Sequence, residues 1–419
     1  VRRDRNHPCV FVWSIGNEIP AGGGFAPGQE VWNMPHTLGT TAERCTRFRN
    51  AVRSEDATRP VGIGSCFPKA ASRGDYANLD ITGWNYRELY KDMRRASPGL
   101  PLVYTESASA YSDYGYYAAR LPTNKTDYAF ADLAVDSYDR NASAWSDIPD
   151  LEFERMETDT YVCGDFVWTG VDYLGEPCPY VGGRVIPVGK QARSSYFGVY
   201  DLLCLPKDRV YLYRAHWNRR DFTLHVVPDH WTFPERIGRT MPVYVYTSAD
   251  EAELFVNGVS QGRRRKDPNA SMKSGYYAGM ARYRLMWDEV AYRPGEIRCV
   301  AYGTDGKALG EKTLRTAGAA ARVVLAPESD VLPADGREFV FVRVGLEDAN
   351  GTPVPRDNRR VAFAVEGPAK IVAVGNSDPR GLSSFKGTDS HPLCNGRAGL
   401  FLRRTGGGAG VLKTSSDGL

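Results

Sequence analysis

Along the first half of the chain, short apolar runs alternate with amphipathic stretches, and Gly, Pro and Asn fall at the joints between them. Cys9 to Ile15 follows a turn-forming Asn6-His7-Pro8 and halts at Asn17 and Glu18, which predicts a buried strand with a carboxylate at its carboxyl end. Ala21-Gly22-Gly23-Gly24 then predicts a loop where a substrate loop would lie. From Thr41 to Asp56 the spacing of Ala42, Cys45, Phe48 and Val52 predicts a helix, stopped by Arg59-Pro60. Further strands are expected over 61–64, 79–86, 102–106 and 161–168, and helices over 87–97, 126–143 and 208–217. The strand over 102–106 again ends on an acid, Glu106.

Strands alternating with helices imply a parallel sheet, and functional residues at several strand ends favour a barrel over an open sheet. A closed barrel of this kind has eight strands, and the pattern supplies five. The expectation is therefore the C-terminal portion of a (β/α)8 TIM barrel over 1–218, with the missing units before Val1 in a longer polypeptide. Beyond about residue 220 the helical period disappears. Strand patterns at 242–247 and 252–256, the hairpin signal Asn257-Gly258 and a strand at 297–302 predict an immunoglobulin-like β-sandwich over 219–316. After the small-residue linker Thr316 to Ala320, runs at 322–325, 338–344 and 360–365 predict a second such sandwich over 320–419, cut short at Leu419.

Composition narrows the function classes. The 419 residues carry a formal net charge of +3, and the one basic block, Arg263-Arg264-Arg265-Lys266, reads as a solvated hairpin tip, so nothing favours a nucleic-acid partner. No apolar run nears the ~20 residues that cross a bilayer, so no membrane partner is expected. The 8 cysteines form no C-x-x-C pair and the 6 histidines show no metal spacing, so neither a zinc site nor a disulfide framework is expected, and most cysteines read as buried filler.

Glu18 and Glu106, at the ends of two strands of one barrel, supply what glycoside hydrolysis requires. One carboxyl protonates the leaving oxygen while the other captures the anomeric carbon, and a separation of ~5 Å gives a covalent intermediate with retention. Strand-end acids also occur in phosphate and metal enzymes on barrels. The aromatic residues Trp13, Trp84, Tyr86 and Trp168 near the same ends sharpen the reading, since flat rings suit sugar faces.

Asp4 to Glu18 resembles, position by position, the acid/base signature of glycoside hydrolase family 2, which contains β-galactosidases, β-glucuronidases and β-mannosidases. Pro101 to Glu106 resembles the family's nucleophile strand, and Gly164 to Pro177 the last barrel strand of bacterial β-galactosidase-like members. Ala249 to Gly258 is similar to the domain after the barrel. The resemblance implies that Glu18 is the acid/base and Glu106 the nucleophile. It also implies that Asn17 binds the sugar 2-hydroxyl, that Tyr86 stands by the nucleophile and that Trp168 floors the pocket. Trp84 joins them as an expected substrate platform.

The implied activity is that of a retaining exo-β-glycosidase on oligo- or polysaccharides, galactose leading because the Asn-x-Lys element of the glucuronidases is not evident after Trp168. A β-glucuronidase stays open, with Arg184, Lys190 and Arg193 as cations for an acidic sugar. So does a non-catalytic carbohydrate-binding or scaffolding role for the sandwiches. No cofactor is expected. A divalent cation beside the acid/base, as some family members hold, would take its other ligands from upstream residues. The N-terminal domains of the same polypeptide are the expected partner, a homo-oligomer is left open, and a bacterial periplasmic or secreted location is favoured.

Overall fold

The computed structural model of the protein describes residues 1–19, 40–128, 131–180, 191–386 and 389–419. The expected glycine loop at 21–24 and the cations Arg184 and Lys190 lie outside them. The chain divides into two compact units, one comprising Val1–Ser109 and Ala142–Thr169, the other Ala110–Asn141 and Gly170–Leu419.

The first unit is built on a five-stranded parallel sheet, in the order β1 (Trp13–Asn17), β2 (Val61–Ser65), β3 (Ile81–Asn85), β4 (Leu102–Ser107) and β5 (Val162–Val167). Helices α1 (Thr41–Arg53), α2 (Pro68–Ser72), α3 (Tyr90–Ala96) and α4 (Pro149–Thr158) connect the strands. Parallel neighbours require such crossovers. Helix α1 starts on a capping box in which the Thr40 side chain accepts from Glu43 N–H and the Glu43 carboxylate accepts from Thr40 N–H at 2.7 Å. Its far end is tied to β1 through Asp56, which accepts from the Trp13 indole at 2.9 Å and from Arg59 at 2.6 Å. Arg59 also donates to the carbonyls of Val10 and His7, which fixes the Asn6-His7-Pro8 approach to the first strand.

One face of the sheet carries the hydrophobic core. Ile63, Trp84, Leu102, Tyr104 and Val162 pack there against Cys45, Tyr76, Tyr90 and Met93. Because side chains alternate along a strand, the opposite face receives Gly62, Gly64, Gly83, Asn85 and Thr105. The glycines are imposed by closeness. A Cβ on Gly64 would stand 2.5 Å from Asn17 Oδ1, and one on Gly83 would stand 2.4 Å from Thr105 Cγ2.

The second unit contains α5 (Asp208–Trp217) and two sandwiches, each a four-stranded sheet and a three-stranded sheet. Asn257 and Gly258, with φ of 48° and 80°, turn strand Glu251–Val256 into Val259–Arg265 as their sequence predicts. The basic residues Arg263 to Arg265 lie in that second strand and not at the hairpin tip, with the Arg263 guanidinium 3.6 Å over the Tyr302 ring. The second sandwich closes on Val342, Val344, Leu346, Val361, Phe363 and Leu400.

The helix expected over 126–143 does not form. In its described part the chain turns repeatedly, with Leu133 and Asp139 at φ of 49° and 54°. Short polar side chains take over the backbone's bonding there. Asp136 accepts from Ala118 N–H at 3.0 Å, Asn141 donates to the Lys125 and Asp127 carbonyls, and Asp139 pairs at 2.8 Å with Arg209 of α5, both fully buried. Asp and Asn are the residues that compete with a helix in this way. The cysteine expectation is met by half: Cys45, Cys178, Cys299 and Cys394 are buried, while Cys9, Cys163 and Cys204 are exposed and all 8 are free.

Candidate active site

At the carboxyl ends of the parallel strands, side chains from β1, β3 and β4 meet. Each of these ends is locally irregular. The register shifts between Ser14 and Asn17 in the β1–β2 pair and between Trp84 and Asn85 in the β3–β4 pair. Such bulges re-aim side chains. Glu18 and Tyr86 follow directly in left-handed backbone, at φ of 48° and 58°, which L residues adopt only when the surroundings hold them there. The holding bonds are Glu18 N–H to Gly64 O at 2.9 Å and Tyr86 N–H to Glu106 O at 2.7 Å.

Two amides bridge the two carboxyls. Asn17 Nδ2 donates to Glu106 Oε1 at 3.1 Å, and Asn85 Nδ2 donates both to Asn17 Oδ1 at 3.0 Å and to Glu18 Oε1 at 2.9 Å. The Asn85 amide is itself oriented by Thr105, whose hydroxyl donates to Asn85 Oδ1 at 2.6 Å. The phenol of Tyr86 donates to the second Glu106 oxygen, Oε2. Burial, with the charge and hydrogen bond of Glu106, raises the Tyr86 hydroxyl far above its usual range, so Tyr86 keeps its proton and is the donor to Glu106. Cys66, just past β2, is pushed up to about 12 by burial and by the nearby Glu18 charge, and stands as a neutral thiol.

Of the residues singled out from sequence, the structure brings Glu18, Glu106, Asn17 and Tyr86 into this one network. Trp168 is half-buried at the end of β5, its N–H bonded to Ser107 O at 2.8 Å beside the Glu106 strand. Trp84 is a correction. It is 0% exposed on the helix-facing side, its indole donates to Thr82 Oγ1 at 3.2 Å, and its ring meets Tyr76 edge-on at 6.1 Å. Odd and even positions of β3 face opposite ways, so Asn85, and not its neighbour Trp84, reaches the site. Asn85 and Thr105 were missed. Asn85 lies in the strand expected over 79–86, and strand alternation alone could have found it. Among the described residues no group of three or more His, Cys, Asp or Glu side chains could hold a metal ion, and no helix is long and apolar enough to cross a membrane.

The two bridged carboxyls suit a reaction in which one bonds to carbon while the other transfers protons. The family model described as the glycosyl hydrolases family 2 TIM barrel domain matches residues 1–115, and the family 2 C-terminal domain 5 matches 323–419. A domain of unknown function matches 238–310 between them. The β-galactosidase BoGH2A of Bacteroides ovatus is 33% identical over 100% of this chain, and the chain covers 49% of that protein. A β-glucuronidase of Formosa agariphila is 24% identical over 87% of this chain, which covers 32% of it. The chain thus spans about half, or less, of the length of these relatives. Among solved structures, a β-glycosidase from Bacteroides vulgatus superposes with a TM-score of 0.78 at 25% identity, over 99% of this chain and 50% of its own. On these matches and on the parallel sheet that carries the two glutamates, the chain belongs to glycoside hydrolase family 2.

Proposed function

We propose that the full-length protein is a retaining β-glycosidase that releases terminal β-linked sugars, galactose foremost. Glu106 attacks the anomeric carbon as the bond to the aglycone oxygen breaks, and Glu18 gives that oxygen its proton. Glu18 then takes a proton from water, the water oxygen bonds to the anomeric carbon, and the ester to Glu106 breaks with the β configuration restored. The observation that carries this reading is the amide bridge from Glu18 through Asn85 and Asn17 to Glu106. It orients both carboxyls before substrate arrives, and Tyr86 and Asn17 each direct one Glu106 oxygen.

Asn17 and Trp168 are the proposed contacts to the 2-hydroxyl and to the face of the bound sugar. Galactose is favoured by the identity to BoGH2A along the whole chain. Glucuronate is the second reading, favoured by relatives that carry the name β-glucuronidase. The segment after Trp168 that would separate the two, 181–185, lies outside the described residues.

In the full-length protein, Glu106→Gln should lower kcat on nitrophenyl β-galactoside by ~10³-fold or more. A 2-deoxy-2-fluoro β-galactosyl fluoride should leave its sugar covalently on Glu106 of the wild type. Retained turnover in the variant, or a label on another residue, would reject the assignment.

A further inference from the structure

The Glu18 carboxyl has a second neighbour besides Asn85. In β2 the odd positions face the hydrophobic core: Ile63 packs there with Trp84, and Ser65 Oγ is 2.7 Å from the hydroxyl of Tyr76, itself a core residue. Phe67 packs against the same core, so the alternation runs on past the end of the strand. The even positions therefore face the side on which Asn17 and Asn85 lie. A Cβ on Gly64 would meet Asn17 Oδ1 and Thr105 Oγ1 there, and Glu18 N–H bonds the Gly64 carbonyl at 2.9 Å. Gly62 and Gly64 bring no side chain to that side, so Cys66 is the one this stretch offers to the site. It is free and partly exposed.

Burial, the Glu18 charge, a hydrogen bond to the Glu18 carboxylate and the Glu106 charge all favour the neutral thiol, so the sulfur keeps its hydrogen and is the donor in that bond. Asn85 Nδ2 takes one lone pair of Glu18 Oε1, and a carboxylate offers about four. The amide stands at the end of β3 and the thiol just past β2, so two donors on neighbouring strands grip one carboxyl. We propose that Cys66 is a positioning residue for Glu18: its S–H, together with the Asn85 amide, fixes the carboxyl in the orientation from which it serves the aglycone oxygen. The proposal rests on the reading of Glu18 as the acid/base. If Cys66 were filler only, its volume would matter; for a positioning residue the donor matters.

The test uses the full-length enzyme and two β-glycosides of the sugar it turns over, one with phenol and one with dinitrophenol as the leaving group. Phenolate departs with the help of a proton and dinitrophenolate without it, and kcat/KM reports the step in which either leaves. Cys66→Ala should lower kcat/KM about tenfold on the phenyl glycoside and by less than about twofold on the dinitrophenyl glycoside. On the phenyl glycoside, Cys66→Ser, which keeps a donor, should come within about threefold of wild type, while Cys66→Val, which fills the volume without a donor, should stay about tenfold down. In a Glu18→Gln background Cys66→Ala should add less than about twofold, because the carboxyl it acts through is gone. Equal losses on the two glycosides, recovery by Val and not by Ser, or full additivity with Glu18→Gln would overturn the proposal. Should Cys66→Ala fail to fold, the comparison of Ser with Val decides. Glu18→Gln alone separates the two readings. If it shows the contrast between leaving groups and the Cys66 variants do not, only the role of Cys66 is refuted; if it shows none, the acid/base reading of Glu18 is refuted and this proposal with it.

Discussion

Thr105 decides which way the Asn85 amide points. Its hydroxyl donates at 2.6 Å to Oδ1, and this leaves the two Nδ2 hydrogens for Asn17 and Glu18. One side chain with no charge thereby holds the Glu18 carboxyl and, through Asn17, that of Glu106. Asn85→Ala removes both bonds while leaving the core-facing Trp84 and Tyr104 untouched. We expect it to lower kcat by ~10²-fold, about 3 kcal/mol, with a smaller change in KM and an unchanged circular dichroism spectrum. Steady-state kinetics on a nitrophenyl glycoside checks this, and a kcat within about twofold of wild type would show the bridge to be dispensable. Thr105→Val should act in the same direction but more mildly, about tenfold, because the amide survives and only its orientation is freed.

At the level of the strands, the paired glycines of β2 do different work. A Cβ on Gly64 meets the free end of the Asn17 side chain, whereas one on Gly62 meets Ile81, its Cγ2 at 2.7 Å and its carbonyl oxygen at 2.9 Å. Asn17 can swing away and Ile81's backbone cannot. Gly64→Ala should therefore cost activity, ~10²-fold in kcat, with little loss of stability. Gly62→Ala should cost about 1–3 kcal/mol of stability with kcat within a few-fold of wild type. Paired melting and rate measurements separate them, and equal effects on both readouts would refute the distinction. The strands over 61–64, 79–86, 102–106 and 161–168 were legible as short runs closed by turn residues, and Glu18 and Glu106 because runs stop on them, but the buried strand read over Cys9 to Ile15 starts only at Trp13 and leaves Cys9 and Phe11 exposed. The bulges at Asn17 and Asn85 were not, since nothing in residue type marks a register shift. Nor was the absence of the helix over 126–143. Its apolar spacing is helical, but Asp136, Asp139 and Asn141 find tertiary partners as distant in sequence as Arg209, and periodicity cannot register those.

For the molecule as a whole, the decisive matter is what the parallel sheet lacks at its two edges. In the order β1 to β5, the outer strands β1 and β5 have one neighbour each among the described residues. Near them large apolar side chains face solvent: Phe11 is 67% exposed and Phe166 56%. Parallel sheets are normally buried on both faces, a closed barrel leaves no edge, and unpaired strand N–H and C=O groups invite association. The family 2 relatives are at least twice as long as this chain, so they have the length to supply the remaining strands of a barrel. A polypeptide made only of residues 1–419 should therefore keep its two sandwiches, each of which closes its own core, yet hold the glutamate bridge poorly. Its turnover of nitrophenyl β-galactoside should be below about a hundredth of the full-length rate, because misplacing reacting groups by about 1 Å already costs that much. It should also bind a hydrophobic dye and associate as concentration rises. Full turnover by a monodisperse preparation of residues 1–419 would mean that the five strands order Glu18 and Glu106 unaided, and that the edges at Phe11 and Phe166 need no cover.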